Sequence, residues 1–114
     1  MKSATDKSKG TIVRSLGNVF ADLGLSDADE RQTKVRLAVT INGVLDRRRL
    51  SQAEAARQLG VNQPKISALS KYKLEGFSVE RLMRFLTSLD QDVEIVIRNK
   101  PRTRRLARVV VIAG

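Results

Sequence analysis

Cysteine is absent from this sequence, which rules out disulfides and any thiolate metal site. Histidine is absent as well. Without either residue the usual general base, the usual nucleophile pairs and the common zinc ligands are missing. The remaining acids fall at helix starts or between basic residues, so no paired-carboxylate site stands out. The expectation is a protein that is not an enzyme and that takes neither metal nor cofactor. Tryptophan is missing too, and the aromatics are only Phe20, Tyr72, Phe77 and Phe85. A core must then be built mainly from Leu, Val, Ile and Ala, which suits packed helices. No apolar run approaches the roughly 20 residues of a membrane span, and Met1 to Lys9 is too polar for a secretory signal. A cytoplasmic protein with no membrane partner is expected. Acids are scarce: 12 stand against 22 basic residues, and the net charge of +10 favours a polyanionic partner. At 114 residues the chain has room for one domain and tails.

What is present centres on Leu50 to Tyr72, LSQAEAARQLGVNQPKISALSKY. Ser51 and Glu54 form a capping box, in which each satisfies a free N–H near a helix start. Gln52 to Leu59 then makes about two helical turns with Ala55, Ala56 and Leu59 inward. Gly60 can end that helix because it takes the left-handed conformation without steric cost. Asn62 can cap the next helix, and Pro64 fits its first turn, where no backbone N–H is required. Counted from Gln52, Ala56 is fifth, Gly60 ninth, Val61 tenth, Ile66 fifteenth and Leu69 eighteenth. That spacing is a helix-turn-helix: a small residue lets the helices approach, glycine turns the corner and apolar residues lock the crossing. The plain alternative is an αα-hairpin buried in a core, since the capping box and the glycine are each common.

Around this pair, Met1 to Gly10 reads as a polar, lysine-rich tail. Thr11 to Leu25 reads as a flap whose Val19, Phe20 and Leu23 dock on the bundle. Ser26 is expected to open a long helix, with Asp27, Asp29 and Glu30 favourable at its N-terminus. Val35, Ala38, Ile41 and Leu45 form its apolar stripe, widened by Leu37 and Val44. Arg47 to Arg49 at the far end suit either the helix dipole or DNA phosphates. Lys73 to Phe77 reads as a loop with a Gly hinge. Ser78 then caps a closing helix with Val79, Leu82, Met83, Leu86 and Leu89 as its stripe. Asp92 to Arg98 alternates and reads as a β-strand with Val93, Ile95 and Ile97 on one face. Because a lone strand is marginal in water, that segment is expected to pair across a two-fold axis. Leu106 to Ala113 could extend the sheet, bind a partner or stay unstructured.

The stretch Leu50 to Leu69 resembles the helix-turn-helix of the phage-repressor or Xre family, with LSQ opening the first helix and V-x-Q opening the second. NVFADLGL (Asn18 to Leu25), QAEAARQLGVNQPKISAL, GFSVERLMRFLTSL (Gly76 to Leu89) and DVEIVI (Asp92 to Ile97) are similar to the HigA-type antitoxin group within it. The resemblance implies a mainly α, lambda-repressor-like DNA-binding domain of four to five helices with a C-terminal β-strand. Its expected limits are a flexible tail over 1–15, the helix-turn-helix domain over 16–91 and a dimerisation segment over 92–114. It also implies a homodimer on double-stranded DNA with a palindromic operator, and, as an alternative role, neutralisation of a RelE/HigB-like mRNA-cleaving toxin. Carried over by position, Gln52 would touch a phosphate and Gln63 would read a base edge. Lys65 and Ser67 would face the groove with Pro64 alongside. Ala68 stands where many relatives carry Arg, and Ser70 where they carry Glu or Asn, so apolar contact with thymine methyls or DNA shape would supply part of the readout.

Three functions follow for testing. The first is a sequence-specific repressor whose recognition helix, Gln63 to Lys71, enters the major groove, while Lys65, Lys71 and Lys73 hold phosphates. The second is an antitoxin. The third is a basic RNA-binding protein, drawn from Arg98 to Arg108, which carries six basic residues and no acid. That run lacks the interleaved aromatics that stack on bases.

Overall fold

The computed structural model describes residues 27–113, and among them there are four helices. They are α1 (Asp27–Arg47), α2 (Gln52–Leu59), α3 (Gln63–Ser70) and α4 (Val79–Ser88). The expected tail and flap, and Ser26 as the start of α1, lie outside the described residues. Helix α1 packs chiefly along α4, and α2 chiefly on α3. Lesser contacts join α1 to α3 and α2 to α4.

The face of α1 that is buried carries Thr33, Leu37, Ala38, Ile41, Val44 and Leu45. Val35 was expected in that stripe and is instead 37% exposed. At 100° per residue it sits about 120° around the helix from Ile41, outside the arc the others share. Thr33 is polar but buried, and its hydroxyl donates to the Asp29 carbonyl at 2.9 Å, so burial leaves it satisfied. In α4 the buried set is Val79, Leu82, Phe85 and Leu86, followed by Leu89. Met83, expected among them, is half-buried because it lies about 100° from Leu82. The loop between α3 and α4 adds Leu74 and Phe77 to the core. Phe77 meets Phe85 edge to face, centroids 5.9 Å apart and planes at 76°.

Each helix stops in the same way. The first or second residue past it takes the left-handed conformation: Arg49 at φ 54°, Gly60 at 71°, Tyr72 at 60° and Asp90 at 62°. The next N–H then reaches back to the carbonyl five residues earlier, as in Leu50 to Leu45, Val61 to Ala56, Lys73 to Ala68 and Gln91 to Leu86. These are Schellman closures, which give terminal carbonyls a partner. At the last of them the Arg48 guanidinium also donates to the Leu89 carbonyl at 2.6 Å, so the end of α1 caps the end of α4. Of the arginine triplet, Arg48 therefore has a structural duty.

The expected C-terminal strand is absent: among the described residues no strand forms, and 92–98 carries no backbone ladder. The cause is the lack of a partner, since a strand needs a neighbour and nothing within the described chain supplies one. Its side chains also depart from strict alternation. Val93 and Ile95 are half-buried, whereas Ile97 is 60% exposed and Val96 49%.

Candidate nucleic-acid interface

The α2–α3 pair is built by three short-range devices. The Ser51 N–H donates to Glu54 Oε1 at 2.8 Å, and the Glu54 N–H donates to Ser51 Oγ at 3.1 Å, completing the capping box. Hydrogen bonding to its carboxylate from the Ser51 backbone N–H, and after it from the Ser51 hydroxyl, holds the Glu54 carboxyl below the ordinary glutamate range. Gly60 turns the corner, and a Cβ there would meet nothing within 4 Å, so glycine is required by backbone conformation rather than by space. Asn62 then accepts from the Lys65 N–H at 3.0 Å and starts α3, with Pro64 in the first turn. Ile66 and Leu69 are buried, and Val61 packs against the core in the turn.

With Ile66 and Leu69 fixed inward, helical geometry decides what faces out. The middle of the opposite face of α3 falls at Pro64, Ser67, Ala68 and Lys71, flanked by Gln63 and Ser70. Gln63, Pro64, Ser70 and Lys71 are exposed, while Ser67 and Ala68 are half-buried. Gln52, the first residue of α2, is exposed, and so is Lys73. Seven of the eight expected site residues thus gather at the start of α2 or along the outer side and end of α3. The eighth, Lys65, does not join them. It lies on the flank of α3, half-buried, with Nζ 5.0 Å from the Phe77 ring centroid and donating to the Gly76 carbonyl at 3.4 Å. A Cβ at position 76 would meet that ammonium at 3.0 Å, a contact the flexible lysine end can relieve by shifting.

Two residues matter here that motif reading passed over. Asn42 of α1 donates its amide to the Leu69 carbonyl at 3.1 Å and so ties the long helix to the end of α3. The only sequence signal was an amide interrupting an apolar helix face. Tyr72 was counted only among the scarce aromatics, yet it is 43% exposed directly after α3, between Lys71 and Lys73. Its left-handed backbone is an outlier for a bulky side chain. From Ser51 to Lys73 there are four basic residues and one acid, so the face is electropositive. Among the described residues no group of acids, His or Cys could hold a metal ion, and no helix is long and apolar enough to cross a membrane. An open cleft between the end of α2 and α4 has its cations engaged. Arg84 pairs with Glu80 at 3.0 Å, and Arg81 lies over Phe85 at 5.6 Å.

The family model described as a helix-turn-helix domain matches residues 19–98, which spans all four helices. A solved structure named "Putative XRE Family Transcriptional Regulator" is 68% identical, with a TM-score of 0.76, and the match covers 78% of this chain and 100% of that one. This chain belongs to the XRE helix-turn-helix family. No curated protein matches it. Within the matched range, α2, the Gly60 corner and α3 carry the helix-turn-helix spacing.

Proposed function

We propose that this XRE-family protein is a sequence-specific, DNA-binding transcriptional regulator that acts as a repressor in the cytoplasm. The observation that carries the reading is the outer side of α3. Gln63 and Pro64 stand exposed at its start, Ser67 and Ala68 follow, and Lys71 and Lys73 close it, with no acid between them. An α-helix of this width fits the major groove of B-DNA. Gln63 has an amide that can donate and accept together at adenine, and Gln52 at the start of α2 is placed for a phosphate. Lys71 and Lys73 supply phosphate contacts, to which Tyr72 adds a hydroxyl. Lys65 supports the α3–α4 loop and is a phosphate ligand only if its ammonium leaves Phe77. Ala68, half-buried, is suited to a thymine methyl and to no hydrogen bond.

Selection of bound sequences from a random duplex pool tests the reading, and titration of Gln63→Ala against the selected and a random duplex tests the residue. Gln63→Ala is expected to cost about 1–3 kcal/mol on the selected duplex and to relax base choice at one position. Equal weakening on both duplexes would remove Gln63 from base reading.

We further infer that two copies act together on a palindromic operator, with recognition helices roughly 34 Å apart. Support comes from the 92–98 segment, which exposes Val96 and Ile97 and leaves backbone groups without a ladder. A second copy would cover both. Light scattering on the full chain should give a dimer, and Val96→Lys with Ile97→Lys should give a monomer. A monomeric parent chain would refute the inference. The antitoxin role rests on the resemblance to HigA-type proteins alone. It requires a RelE/HigB-like toxin whose ribonuclease activity this chain suppresses on mixing.

A further inference from the structure

We propose that the turn over Arg98 to Arg108 is a second DNA-contacting element, an arm that grips duplex phosphates outside the reach of the recognition helix. It rests on the DNA-binding reading above and adds a surface that α2 and α3 do not include. The family match ends at residue 98, so most of the arm lies beyond the shared domain.

Its charge is one-sided. Six of its eleven residues are basic, and no acid occurs from Ile95 to the last residue of the sequence. Among the described residues the ion pairs are Lys34 with Glu30 and Arg84 with Glu80, so there the arm's cations meet no protein carboxylate. The arm is also shaped. The Arg104 N–H donates to the Pro101 carbonyl at 3.2 Å, forming a turn, and Lys100 Nζ donates to the Arg104 carbonyl at 2.7 Å. Arg104 Nη1 in turn donates to the Leu106 carbonyl at 3.1 Å. Both stems are anchored, because Val93 before the turn and Val111 after it pack against the helical core. Labour is therefore divided: Lys100 and Arg104 brace the backbone, and Arg98, Arg102, Arg105 and Arg108 stand exposed.

Four exposed guanidiniums on a braced turn suit phosphate oxygens, since each can donate two parallel hydrogen bonds. The arm contains no aromatic residue, so it offers no ring on which bases could stack, the usual means of holding single-stranded nucleic acid. The duplex is the favoured polyanion because α3 delivers it to the same molecule, which makes arm binding an intramolecular event. Such contacts carry no base information. They raise affinity for every sequence and steepen its dependence on salt.

The test replaces Arg98, Arg102, Arg105 and Arg108 by Gln in the full chain, all exposed positions, with far-UV circular dichroism confirming the helices. Wild type and variant are titrated with a selected duplex, the same duplex trimmed to its recognised core, a random duplex and a structured RNA, over roughly 50 to 200 mM salt. Every phosphate that is no longer neutralised lowers the log–log salt slope by about 0.9, so the variant's slope should fall by about 3.6 per bound copy. The wild type's advantage should then shrink roughly 100-fold across that salt range. The advantage should be equal on selected and random duplex and should vanish on the trimmed one. An unchanged slope with intact wild-type binding overturns the arm alone. A loss confined to structured RNA also overturns it. Failure of the wild type to bind any duplex overturns the DNA-binding reading and the arm with it.

Discussion

The four helix ends provide a matched pair of substitutions with opposite signs. Gly60 and Arg49 occupy the same position in the same closure, at φ 71° and 54°. For any residue with a Cβ that backbone costs about 1–2 kcal/mol, whereas glycine avoids it and forfeits about 0.5–1 kcal/mol in chain entropy. Gly60→Ala meets no steric neighbour, because the space around its Cβ is open to 4 Å. Its cost is then the backbone term alone, a net loss of about 1 kcal/mol. Arg49 is exposed, so replacing it removes little packing, and Arg49→Gly should gain about 1 kcal/mol less a few tenths for its charge beside the helix end. In a domain of this size 1 kcal/mol moves the midpoint of thermal unfolding by about 4–8 °C. Calorimetry and urea titration of both single variants and the double variant test the reasoning. The singles should move in opposite directions and cancel in the double, since the sites lie in separate closures. If Arg49→Gly destabilised, or Gly60→Ala changed nothing, the left-handed closures would not carry the energy assigned to them.

The remaining predictions concern the site and its support. Glu54→Gln should lower stability at neutral pH but not in acid. The Glu54 carboxyl is held below its ordinary value when folded, so its contribution is complete above the unfolded value and is lost as pH falls through the lowered one. Urea midpoints of parent and variant should converge on acidification, and a gap that stayed constant would mean the carboxylate charge is immaterial. Asn42→Ala should cost about 1 kcal/mol by freeing the Leu69 carbonyl of one donor. It should also weaken binding to a selected duplex more than to a random one, and equal weakening would show that the bond does not orient α3. Phe77→Ala should cost about 3–5 kcal/mol, as for a buried aromatic, and release Lys65 from its ring. A loss under 1 kcal/mol in urea titration would show that the α3–α4 loop is not part of the core.

How much of this was legible in the residues follows from how far each interaction reaches. The caps of α2, α3 and α4 depend on atoms within three residues, and Ser51, Asn62 and Ser78 all bond as their neighbours dictate. The helix-turn-helix was legible for the same reason, since its spacing encodes a contact between two adjacent helices. Stripe edges were less so. Val35 and Met83 are apolar and near the right period, but only the packed neighbours decide where the buried arc stops. Phe77 carried a readable cue that motif reading left unused. It precedes the Ser78 cap, and with Leu82 it occupies the two positions of a hydrophobic staple, both buried. Recognising that staple would have placed Phe77 inside and made its ring a surface for a nearby cation.

The C-terminal segment fails for a different reason, and the failure bears on function. Alternation in DVEIVIR is a statement about pairing, and pairing needs a second strand that the described residues do not supply. What the single chain keeps is a pair of apolar anchors, Val93 and Val111, with a braced basic turn between them. If the 92–98 segments of two copies lie together on the two-fold axis, two arms flank one duplex, one beyond each half-site. Electrostatic gain and dimer formation are then linked: a copy that lost its partner would lose the second recognition helix and the second arm at once. The monomerising pair Val96→Lys and Ile97→Lys should therefore lower the salt slope as well as the affinity, although it adds positive charge. A monomeric variant that kept the full parental slope would separate the arm from the dimer and leave each arm to act on its own copy.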